Sequence, residues 1–70
     1  MTPPSTYKIH RRTNRGWDEE PERKVDVPGE PLTLAQAKEA VWRLHDQAND
    51  HHGVPRDEEG PYLFFAVPSI

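Results

Sequence analysis

The sequence predicts a small α+β fold: a β-hairpin and a C-terminal strand form an antiparallel sheet, and one amphipathic helix packs on one of its faces, in the order β-β-α-β. Three stretches carry this reading. "TYKIHRR" alternates polar and apolar residues ahead of the turn residues of "TNRG". "PLTLAQAKEAVWRLHDQANDHHG" repeats its apolar residues with the period of a helix. "PYLFFAVPSI" holds the densest apolar run of a chain whose mean hydropathy is -0.99.

The first element is the hairpin, placed over residues 6–27. Tyr7 and Ile9 fall on one side of its leading strand and Lys8 and His10 on the other. Asn14 and Gly16 suit the turn because both tolerate positive φ. Trp17 is expected to open the returning strand, which Pro21 and the cluster "DEEPERK" keep short or edge-like and which "KVDV" resumes. Pro28, Gly29 and Pro31 then turn the chain toward the helix, while residues 1–5 are expected to be flexible.

The helix is expected over residues 34–51. Thr33 with Gln36 three residues later is a capping box, and Leu32 with Ala37 stands in the hydrophobic-staple positions. Leu34, Ala37, Val41, Leu44 and Ala48 recur at spacings of three and four, which gathers them into one core-facing stripe. Glu39 and Arg43 form an i,i+4 pair on the side facing water. Gly53 is the stop, with His51 and His52 in the last turn, where partial positive charge suits the helix dipole.

Residues 54–61 read as an acidic loop and residues 62–67 as the last strand. That strand poses the main question. Tyr62, Phe64 and Ala66 point one way and Leu63, Phe65 and Val67 the other, so one helix cannot cover both sets. The uncovered set needs Trp17, the N-terminal prolines and the loops to fold over it, or else a partner. Trp42 lies off the centre of the helix stripe, as either the rim of the core or an anchor for a partner with Lys38 and His45 as its polar margin. The candidate partner-binding residues are therefore Trp42, Lys38, His45, Tyr62, Phe64 and Phe65. Two C-terminal strands meeting edge to edge, or two sheets meeting face to face, would give a weak homodimer.

Charge and composition weigh the other classes. Seventy residues make one small domain, residues 1–70, with marginal stability. No cysteine is present, which excludes disulfides and thiolate metal sites. Residues 1–24 carry six Lys or Arg against four acids, and residues 25–70 carry three against eight. A nucleic-acid reading rests on Lys8, His10, Arg12 and Arg15, with Trp17 available for stacking. A sequence pI of about 5.7 works against a broad footprint of that kind. His45 and His52, seven residues apart on one helix face, are too far apart to chelate one ion, so no metal or cofactor is expected. There is no Gly-rich phosphate loop and no nucleophile with a base, so the chain reads as non-enzymatic. With no long apolar segment and no apolar leader, it reads as soluble and cytoplasmic.

In its preference for Arg over Lys, its many Pro and Ala, and a capped "PLTLAQAKEAV" helix before a short apolar strand, the chain resembles the small uncharacterised proteins of high-GC actinobacteria and their bacteriophages. That resemblance is compositional. It implies a compact, non-enzymatic accessory or regulatory protein that binds a host or virion protein.

Overall fold

The structure, a computed structural model, describes residues 6–69. Its elements follow in the order β1 (Tyr7–Thr13), β2 (Arg23–Val25), α1 (Leu34–His52) and β3 (Tyr62–Pro68). The sheet is antiparallel with the order β2-β1-β3, so the first strand lies in the middle between its sequence neighbour and the last strand. Ile9 stands opposite Val25 on one side and Ala66 on the other.

Local chemistry sets the ends of α1. The Gln36 N–H donates to Thr33 Oγ1 at 3.2 Å while the Thr33 N–H donates to Gln36 Oε1 at 2.9 Å, which completes the capping box. At the other end Gly53 takes φ 71°, the left-handed conformation that closes a helix. The helix stops at Gly53 as expected, and its last residue is His52, one beyond the expected end at His51.

The core is Ile9, Leu32, Ala37, Ala40 and Phe64, with Tyr7, Val25, Val27, Val41, Leu44, Ala48, Tyr62 and Ala66 packed around it. Two features depart from the expected stripe. Leu34 is 46% exposed, and Ala40 is buried. Leu32 explains the first change: it pairs with the backbone of Tyr7, is itself buried, and fills the place beside Ala37 that Leu34 was expected to take. Ala40, with the smallest side chain, then brings the helix close to the sheet.

The hairpin is also looser than expected. The expected turn does form over residues 14–17, where the Trp17 N–H donates to Asn14 O at 3.3 Å and Gly16 takes φ 95°, but the connection then runs on to residue 22 and Trp17 opens no strand. Its ring packs edge-on against His52 at 5.6 Å. Trp17 thus sits at the C-terminal end of the helix and does not cover the far side of the sheet. Pro3, Pro4 and the expected flexibility of residues 1–5 lie outside the described residues.

Candidate interaction surface

The alternation of β3 divides its side chains as anticipated and decides which set is covered. Phe64 is buried under α1, with Tyr62 and Ala66 half-buried beside it. Leu63, Phe65 and Val67 occupy the opposite, open face. On that face they stand directly across from Arg12, His10 and Lys8 of β1. An apolar row and a cationic row therefore run side by side, one strand spacing apart.

Acids hold part of the cationic side. His10 Nδ1 lies 3.1 Å from Glu22 Oε2, and its ring lies 6.0 Å from that of Phe65. Lys24, opposite His10 on β2, donates to Glu30 at 2.6 Å and to Asp26 at 3.3 Å. The Glu30 bond is the main reason its ammonium titrates above the usual lysine range. Lys8 and Arg12 have no ion pair among the described residues. Arg15 is exposed in the connection after β1. Arg11 points to the helix side, where its guanidinium lies 4.3 Å over the Tyr62 ring.

The backbone of β3 adds a second feature. The Ser69 N–H donates to Thr6 O at 3.0 Å and the Asn14 N–H to Pro61 O at 2.9 Å, which fixes the phase of the ladder. By that phase Leu63, Phe65 and Val67 exchange hydrogen bonds with β1. The N–H and C=O groups of Tyr62, Phe64 and Ala66 point away from β1 to the outer edge, and among the described residues no backbone group takes them.

The helix borders this edge. Gln36 and Arg43 line a depression with Val27 and Pro28, and Gln47 and His51 line another with Val25, so that flank of α1 looks toward the β2 side. At 100° per residue, Leu34, Lys38 and His45 occupy the opposite flank, where the loop before β3 meets His45, and Trp42 stands further round, turned away from the sheet. Trp42 is 67% exposed, which rules out a place in the core rim, and its ring stands edge-on to His45 at 6.0 Å.

A buried asparagine anchors the loop that enters β3. Asn49 Nδ2 donates to Pro55 O and Glu58 O, each at 2.9 Å, which uses both of its hydrogens. Its 3.2 Å approach to His45 Nε2 is therefore packing, since that ring nitrogen donates to Arg56 O at 2.9 Å. Arg56 in turn grips Asp50 with two hydrogen bonds, and these, with the charge of the guanidinium, hold the Asp50 carboxyl below the usual range. Asn14 Nδ2 donates to Gly60 O at 2.7 Å and ties the end of β1 to the same loop.

The candidate residues thus fall into four places. Lys38 and His45 lie on the flank of the helix away from β2, and Trp42 is turned further from the sheet. Phe65 lies on the open face. Phe64 is a core residue and Tyr62 is half-buried on the helix side, so their side chains do not form a binding surface, although their backbone groups do reach the edge. Lys8, His10 and Arg12 share the open face with Phe65, whereas Trp17 is on the other side of the sheet and Arg15 is beyond its end. Edge-to-edge pairing of the last strand was one of two arrangements anticipated from the sequence; the uncharged run from Tyr62 to Pro68 was the signal that favours it, and which backbone groups are free came only from the ladder. Among the described residues no group of three or more His, Cys, Asp or Glu is placed to hold a metal, and no helix is long and apolar enough to cross a membrane. Compared with known proteins, the chain matches no family model, no curated protein and no solved structure.

Proposed function

We propose that this chain is a non-enzymatic protein-interaction module that binds through β3 and its two flanks. The observation that carries the reading is the placement of Leu63, Phe65 and Val67 on the face of the sheet opposite the helix, with Leu63 40% exposed. Phe65 and Val67 are half-buried beside it, and apolar side chains left partly open in one row mark contact surfaces. Trp42, of the residue type most enriched at interface hot spots, extends the surface onto the helix. Followed to its end, the compositional resemblance makes the partner a host or virion protein and the chain an accessory factor acting on it.

Affinity capture tests this reading, with wild type compared against Phe65→Glu and Trp42→Ala and the fold of each followed by circular dichroism. A partner held by wild type and lost by folded variants supports the surface. Equal capture by all three would remove it.

A second reading, nucleic-acid binding, is supported by the row of Lys8, His10 and Arg12 beside Phe65. Against it stand the acids that occupy His10 and Lys24 and the presence of a single aromatic on the face, where stacking platforms use several. Labelled single- and double-stranded oligonucleotides titrated at two salt concentrations are expected to bind weakly. Tight, steeply salt-dependent binding would reverse the ranking.

A further inference from the structure

The two edges of the sheet are built differently. β2 is three residues long, carries Arg23 and Lys24, and is followed by Asp26 and Pro28. Short length, charge and proline are the means by which proteins close an edge to further strands. β3 has none of the first two and proline only at its last position. Its outward N–H groups at Tyr62, Phe64 and Ala66 recur every second residue and match one kind of occupant, another extended backbone.

We infer that the occupant is a second copy of this chain, paired β3 to β3 in antiparallel register about Phe64. The inference rests on the reading of β3 as an interaction surface and names what fills it. In this register Phe64 faces Phe64 of the second copy, and Tyr62 faces Ala66 in both directions, so all three outward N–H groups and all three outward carbonyls find partners. Moving the register one step toward the strand's end places Tyr62 against Pro68, which has no N–H. Moving it the other way requires Gly60, which is packed against Asn49 inside the loop.

Side chains agree with the backbone. On the open face Leu63 stands opposite Phe65 of the second copy, twice per dimer, in closely approaching pairs that merge two apolar rows into one. On the helix side, exposed Leu34 lies on the flank of α1 away from β2, the side on which the second copy would stand, while Trp42 is turned further from the sheet. Face-to-face packing of the sheets fits poorly by comparison. It sets Lys8, His10 and Arg12 against either the same row of the second copy or its apolar row. Edge pairing keeps the two cationic rows apart by the width of both β3 strands. Because β2 is closed, the assembly stops at two copies.

Sedimentation equilibrium or light scattering from low micromolar to millimolar concentration reads the association. A monomer–dimer equilibrium is expected, with the Tyr62, Phe64 and Ala66 amides gaining exchange protection as the dimer fills. Ala66→Pro removes an outward N–H that β1 does not use, and is expected to remain folded and monomeric. Leu63→Lys, at an exposed position, is expected to weaken association by roughly tenfold, since it breaks two cross-strand pairs. It keeps the test decisive if the proline variant loses its fold. A wild type that stays monomeric at millimolar concentration overturns the proposal, as does a folded Leu63→Lys that dimerises like wild type. Should wild type stay monomeric while Phe65→Glu still abolishes capture of a foreign partner, self-pairing falls and the interaction-module reading stands.

Discussion

The side chain of Asn49 fills the space that a Cβ on Gly60 would need, with Asn49 Oδ1 directly against the glycine. One contact between the last turns of the helix and the entry to β3 therefore fixes the identity of both residues. Gly60→Ala is expected to force the asparagine out of its bonds to Pro55 O and Glu58 O. Asn49→Ala strands the same two carbonyls, at about 1–3 kcal/mol for each group left unpaired. Asn49→Asp should be worse, because a carboxylate then faces two carbonyl oxygens. Urea unfolding of the three variants measures the order, and a neutral Gly60→Ala would refute the coupling.

Phe64 and Phe65 are neighbours with opposite fates. Phe64→Ala removes a buried ring at a cost of about 3–5 kcal/mol, comparable to the whole stability of a small domain. It is expected to unfold the chain. Phe65→Ala loses only a half-buried ring, roughly 1 kcal/mol, and should leave a folded protein. Circular dichroism with denaturant titration separates the two, and equal losses would mean the open face is not open.

The helix caps give a smaller, cleaner prediction. Thr33→Ala removes the hydroxyl that accepts from the Gln36 N–H, and Gly53→Ala places a Cβ in a left-handed conformation. Each should cost about 1 kcal/mol, a fall in melting temperature of about 4–8 °C for a domain of this size. Because the two sites lie at opposite ends of α1, their effects should add.

Acid should loosen the loop through Asp50. The bond from Arg56 lowers its pKa in the folded state, so the folded chain takes up this proton less readily than the unfolded one. The contribution is complete above the ordinary aspartate value of about 3.9, and is lost as pH falls from there through the lower folded value. Asp50→Asn should flatten that part of the stability profile, measured by unfolding at a series of acid pH values. An unchanged acid limb would show that the pair adds nothing. Because both groups face solvent, the effect should be small and sensitive to salt.

What could be read from the sequence follows the range of the interactions involved. Thr33, Gln36 and Gly53 act on their near neighbours, so both ends of α1 were legible. The alternation from Tyr62 to Val67 is equally local, and it showed that one of two rows must be left uncovered. Which row is covered depends on where α1 lies, and that depends on Leu32 meeting Tyr7 across the fold. Leu34 was accordingly misplaced, and Ala40 overlooked. Asn49 could not be recognised as an anchor because its partners, Pro55, Glu58 and Gly60, lie in a loop with no period. Trp17 was sent to a strand because its contact, His52, lies 35 residues further along.

The middle strand of the sheet comes from the first residues described and its long neighbour from the last, with Tyr7 beside Pro68. Every pair between these two strands joins residues far apart in the chain, and without β3 the core lacks Phe64 and α1 lacks a large part of the surface it lies on. Helix and sheet therefore depend on contacts that close only when the most distant segments meet, which favours a single cooperative folding step over stepwise assembly.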